Sequence, residues 1–222
     1  MAPDTAERRR GPFRDRTGAG SVLAEHLAAY RERDPIVIGL PRGGVVVAAE
    51  VARALGAELD IAIVRKIGAP GNPELAVGAV GEGGVVVRNG ELLALLGLSE
   101  AAFRRRADAA AAEVRERADR LRSDHGVVPV AGRFVIVVDD GLATGATAEA
   151  AVAVMRARGA VEVAVGVPVG APDAVARLAA VADRVVCVDT PRSLGGVGAW
   201  YEDFTPVTED EVARLLRQRS ER

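Results

Sequence analysis

The chain has 222 residues, a formal net charge of −2 and 49% hydrophobic residues. That is enough apolar material for one sizeable core, and the balanced charge gives no global pull toward nucleic acid or a membrane surface. Aromatics are only 3% and cysteine occurs once, so the core must be Val, Ala and Leu, and no disulfide framework or Cys/His metal cluster is available. No run of 18 apolar residues appears, and Ala2 to Arg10 lack a signal peptide's apolar centre, which points to a cytoplasmic protein.

Residues 1–11 are polar and arginine-rich and read as a loose tip. Helical spacing then runs from Ser21 to Arg33, with Val22, Leu23, His26, Leu27 and Tyr30 on one face and His26 at the core edge. Asp34-Pro35 breaks it. Ile36 to Leu40 is a buried strand that ends in Pro41-Arg42-Gly43-Gly44 before a helix from Val45 to Leu55. A strand, a tight glycine loop and a helix N-terminus together form an anion cradle, here with the cationic side chain of Arg42. Leu59 to Val64 is predicted as a third strand, placing Arg65 and Lys66 at its carboxyl end, where open α/β sheets bind ligands.

Residues 68–74 are rich in Pro and Gly and read as a loop. Val77–Val80 and Val85–Arg88 read as a hairpin around Glu82-Gly83-Gly84. A short helix over Leu92–Leu96 ends at Gly97, and Ser99 caps a long helix to about Ser123. That helix has a thin apolar stripe (Phe103, Ala107, Ala110, Val114, Leu121), and its many charges read as a solvated face with i,i+4 pairing. Its arginines are too interspersed with acids for an RNA surface.

The most informative stretch is Phe134 to Ala150. Five apolar residues, Phe134 to Val138, suit a strand buried on both faces of a parallel sheet. Asp139 and Asp140 follow, then the small-residue loop Gly141 to Thr147 and an alanine-rich helix to about Ala157. Free backbone N–H groups and the helix dipole make such a loop a phosphate site. Two acids beside it suit a ligand with hydroxyls or a metal ion next to its phosphate, as in a sugar phosphate. A P-loop is excluded, because no Gly-x-x-x-x-Gly-Lys-Ser/Thr occurs. The spacing Gly39 to Gly44 does not supply a Rossmann fingerprint.

Further on, Val161–Pro168 reads as a strand, Pro172–Ala180 as a helix and Arg184–Asp189 as a final buried strand that contains Cys187. This alternation predicts an α/β fold with a doubly wound, mostly parallel sheet flanked by helices. Thr190 to Pro206 is irregular and holds Trp200, Tyr201 and Phe204, three of the chain's few aromatics. They form either a base-stacking surface or a hood packed on the core. Glu209 to Gln218 is a terminal helix.

The run Val135 to Thr147 (VIVVDDGLATGAT) resembles the phosphoribosyl pyrophosphate (PRPP) signature of type I phosphoribosyltransferases. The resemblance implies one domain over residues 1–222, with a hood from about 1–33 and 190–222, and a mobile loop, hairpin and long helix over about 67–124. It implies a magnesium-dependent transfer of phosphoribosyl from PRPP to a nitrogenous base or amine, with release of pyrophosphate.

Asp139 and Asp140 would hold the ribose hydroxyls as the catalytic pair, and Ala143, Thr144, Gly145, Ala146 and Thr147 the 5′-phosphate. Arg42, Gly43 and Gly44, with Arg65 and Lys66, would take the pyrophosphate, and Trp200 and Tyr201 are candidates for stacking the base. Mg2+ would bridge ligand oxygens without direct side-chain ligands. The 6-oxopurine branch places a third acid where Ala143 stands, which disfavours a hypoxanthine or guanine acceptor. Glu74 and Glu82 could assist, but neither matches a motif position, so no catalytic acid is assigned. A PRPP- or nucleotide-binding regulatory module without transferase activity is the alternative. Small-molecule partners are expected, not nucleic acid or membrane, and a homodimer is left open.

Overall fold

The computed structural model describes residues 12–122 and 126–217. The polar tip at 1–11, His125 and Gln218 at the end of the expected terminal helix lie outside the described residues. Strands β1 (Ile36–Gly39), β2 (Glu58–Ile61), β6 (Phe134–Val138), β7 (Glu162–Val169) and β8 (Arg184–Asp189) form a parallel sheet in the order β2-β1-β6-β7-β8. Strands β3 (Val64–Ala69), β4 (Asn72–Gly81) and β5 (Val85–Arg88) form a separate antiparallel sheet.

The apolar runs of β1 and β6 are unbroken because both faces are covered. Ile36, Ile38, Val135 and Val137 pack with Val152 and Met155 of α5 (Ala146–Ala157) and with Leu178 of α6 (Pro172–Ala179). The alternate residues Val37, Ile136 and Val138 pack with Leu23 and Leu27 of α1 (Arg16–Leu27) and with Val47 and Val51 of α2 (Gly43–Leu55). A second core lies over the antiparallel sheet. It joins Ile67, Val77 and Val80 to α3 (Gly90–Leu95), to the predicted stripe of α4 (Glu100–Arg122) and to Val212 and Leu216 of α7 (Glu209–Arg217).

Four expectations need correction. Helix α1 starts at Arg16 rather than Ser21, because the Asp15 side chain accepts from the Gly18 amide and caps it. Its buried face is then Ala19, Leu23, Ala24 and Leu27, and His26 is exposed. The predicted third strand splits after Ile61: Ala62 N–H donates to Gly39, the chain turns, and Val64 opens the antiparallel sheet. Arg65 and Lys66 therefore lie inside β3, opposite Val80 and Ala79, and not at the end of a parallel strand. The expected 68–74 loop contracts to a hairpin turn in which Gly71 takes φ +73°. Finally, β8 is an edge strand and only half-buried, Cys187 included.

One ion network fastens the two sheets together. Asp60 on β2 is 1% exposed, and its carboxylate accepts from Arg122 (2.8 Å) and from the amides of Ile61 and Val128. Arg122, at the end of α4, also donates to the Ile61 carbonyl and to both carboxylate oxygens of Glu82 between β4 and β5. This pairing occupies Glu82. Removing one partner of such a network leaves an uncompensated buried charge. Arg122→Ala is expected to lower unfolding free energy by about 3–5 kcal/mol in urea titration; a loss below about 1 kcal/mol would show that the network contributes little.

Candidate functional site

The chain runs one way from β1 to β2 and the other way from β6 through β7 to β8, so the strand order reverses between β1 and β6. Crevices outside the carboxyl ends of strands at such a reversal are where open α/β sheets bind ligands. The loops after β1 and β6 meet there. The first turn of α2 presses directly on the acid pair. A Cβ added to Gly44 would come within 2.8 Å of Asp139 Cα and Oδ1, and one added to Gly43 would overlap Asp140 Oδ2. These two glycines are required by close approach.

Asp139 Oδ1 accepts from the Asp140 amide at 2.9 Å. Burial, reinforced by the neighbouring Asp140 charge, pushes the Asp139 carboxyl well above the usual carboxylate range. Asp140 Oδ2 accepts from Arg16 Nε at 2.8 Å, and Arg16 Nη1 donates to the Thr205 carbonyl. The Arg16 guanidinium lies 3.8 Å over the Phe204 ring. Tyr201 donates its hydroxyl to the Asp140 carbonyl at 2.6 Å, and burial, followed by the Asp140 charge, raises its phenol.

The loop after the acids is anchored at Leu142, whose amide donates to Val169 and whose carbonyl accepts from Ala171. Gly145 takes φ +73° and starts α5, leaving Ala143, Thr144 and Thr147 exposed. Arg177 Nη2 donates to the Thr144 carbonyl at 2.6 Å.

A cavity of about 570 Å³ opens beside this loop. Thr144, Ala146 and Thr147 line it with Pro41, Arg65 and Lys66, and α4 contributes Arg106, Glu113 and Arg117. The structure thus brings the small-residue loop and the β3 cations to one cavity. Arg42 is exposed next to Pro41, and Gly43 and Gly44 contact the acid pair.

Trp200 and Tyr201 do not line this cavity; they stand in a small cluster with Phe13, from which Tyr201 reaches the acid pair through its hydroxyl alone. Tyr201 is 6% exposed, with rings of Phe13 and Phe204 at 5.7 and 5.0 Å, so it offers no open face for stacking in this structure. Trp200 is half-buried, and its indole N–H donates to Leu194.

Sequence reasoning missed Arg16, Arg117 and Glu113. Arg16 preceded the helix start expected at Ser21. Glu113 and Arg117 share a helical spacing, but nothing in that spacing tells which face meets a cavity. Among the described residues no group of three or more Asp, Glu, His or Cys side chains converges to hold a metal, and no helix is long and apolar enough to cross a membrane.

Residues 17–201 match the phosphoribosyl transferase domain family. The chain belongs to the type I phosphoribosyltransferase family. It is 47% identical over 204 residues to a Mycobacterium tuberculosis protein, present in two strains, named "putative phosphoribosyl transferase". The match covers 92% of this chain and 46% of the relative, so the chain spans about half the length of those relatives. The crystal structure of TT1426 from Thermus thermophilus is 48% identical and superposes with a TM-score of 0.89 over 93% of this chain and 98% of that one.

The raised Asp139 carboxyl has a consequence for stability. A carboxyl that resists ionisation when folded costs nothing at low pH, and costs progressively more as pH rises above about 4, where the unfolded chain ionises freely. Asp139→Asn keeps the acceptor for the Asp140 amide and removes that cost. It is expected to raise the melting temperature at pH 8, by about 2–4 °C per kcal/mol relieved, with the gain shrinking toward pH 5. A variant that melts below the parent at pH 8 would contradict this account of the acid pair.

Proposed function

We propose that this protein transfers the phosphoribosyl group of PRPP to a nitrogenous base or amine and releases pyrophosphate. The observation that carries this reading is one cavity joining a cationic wall to the small-residue loop at the head of α5, with a half-buried acid pair at the adjoining strand end. Thr144, Thr147 and the amides of the first turn of α5 take the 5′-phosphate. Asp139 and Asp140 accept from the ribose hydroxyls and fix the sugar. Arg42, Arg65 and Lys66 take the diphosphate.

In the reaction the bond from ribose C1 to the diphosphate oxygen breaks, with its electron pair leaving on pyrophosphate. A bond from C1 to the acceptor nitrogen forms, and the acceptor's proton goes to solvent. Catalysis is positioning plus charge stabilisation of the departing diphosphate. Asp139 and Asp140 offer carboxylate oxygens at the end of β6, donors that suit a hard cation such as Mg2+ held through ligand oxygens beside them. When bound, that ion supplies positive charge to the diphosphate. Ala143, which is exposed, supplies no acid for recognising a 6-oxopurine.

One observation favours a second reading, a PRPP- or nucleotide-binding regulator without transfer. Asp140 is already engaged by Arg16, whose other contacts belong to the hood. Calorimetric titration with PRPP and magnesium, followed by a screen of bases and amines for pyrophosphate release, separates the two. Binding with release for one acceptor is the expected result; binding without release for any acceptor favours the regulator. Asp139→Asn combined with Asp140→Asn is expected to weaken PRPP binding at least a hundredfold, as loss of several charge-assisted bonds implies. Unchanged affinity in the double variant would remove the acids from the sugar site.

A further inference from the structure

The ion pairs on α4 are not evenly placed. Arg104 pairs with Glu100 at 2.9 Å and Arg120 with Glu116 at 2.8 Å, both i,i+4 and both turned to solvent. Arg117 has Glu113 in the same relation. That carboxylate instead reaches across the cavity to Arg65 at 2.8 Å. Arg117 donates to the carbonyl of Pro41 at 3.0 Å and lines the cavity with Arg65 and Lys66. Burial and the nearby charges of Arg42, Arg120 and Arg65 depress its guanidinium, with Glu209 opposing them. A partly buried arginine held by one carbonyl and surrounded by like charges is unfavourable unless an anion joins it. The Arg65–Glu113 pair is more than half exposed on both sides (57% and 54%). Such pairs contribute little, so a multiply charged anion displaces the carboxylate readily.

We propose that Arg117 is a diphosphate-binding residue supplied by α4, and that Glu113 gates it, holding Arg65 until an incoming diphosphate takes that guanidinium over. The assignment rests on the phosphoribosyl-transfer reading above and extends it to two residues outside the signature motif. It implies that the ligand carries adjacent phosphates, because a single phosphate at the head of α5 would leave Arg117 with only the Pro41 carbonyl and Arg65 still held by Glu113.

The test is calorimetric titration of the full chain with inorganic pyrophosphate and magnesium, at fixed ionic strength. Arg117→Gln is expected to weaken pyrophosphate about tenfold or more. Glu113→Gln is expected to tighten it about two- to fivefold by removing the competing carboxylate, a gain that damaged folding does not produce. Arg104→Gln, on the solvent side of the same helix, should change affinity by less than about twofold. Arg117→Gln binding pyrophosphate like the parent, or Glu113→Gln binding it more weakly, overturns the inference while leaving the transfer reading intact. Failure of the parent protein to bind either pyrophosphate or PRPP overturns both.

Discussion

The structure depends on how it keeps two adjacent carboxylates at the end of a buried strand. Asp139 is desolvated beside Asp140, and both the burial and the Asp140 charge penalise its ionisation. The fold answers with backbone rather than with a second cation at Asp139. The Asp140 amide donates to Asp139, and the first turn of α2 lies against both carboxylates, where the positive end of a helix dipole favours negative charge. This contact needs Gly43 and Gly44, because side chains there would enter the space of the acids. The glycine loop after β1 therefore serves the acid pair as well as any ligand.

That arrangement places the cations. With the α2 N-terminus committed to Asp139 and Asp140, the positive wall of the cavity comes from elsewhere: from β3, through Arg65 and Lys66, and from α4. The acids lie at the β6 end and the cations line the cavity across the loop from Gly141 to Thr147. A ligand that carries both hydroxyls and phosphates matches this separation.

Much of the fold was legible in the sequence because its signals were local. Uninterrupted apolar runs marked β1 and β6, and the stripe on α4 was read residue for residue. What was not legible depended on partners distant in the chain. Leu59 to Val64 contains no Gly or Pro, so only tertiary hydrogen bonds reveal that the strand ends at Ile61. The helix was expected to start only at Ser21, after Gly18 and Gly20, and glycine disfavours helix interiors. Gly20 is helical because α1 packs so closely on α2 that an added Cβ would meet the Val47 carbonyl at 2.8 Å. The acid pair and the loop to Thr147 stood out as a motif. The α4 contribution did not, since the charged face beside the stripe does not tell which of its arginines meets a cavity until its neighbours are known.

Helix α4 also shows how stability and site are built from one element. Its apolar stripe is buried against the antiparallel sheet, and Arg122 fixes its last turn to Asp60 and Glu82. Arg117 lies five residues earlier, about 7.5 Å along the helix axis. A helix fixed in rotation by its stripe and along its axis by the Arg122 network cannot slide or turn without breaking buried contacts. Arg117 is thereby held against the Pro41 carbonyl despite its like-charged neighbours. The energy that keeps this cation in an unfavourable place comes from packing and ion pairs that face away from the cavity.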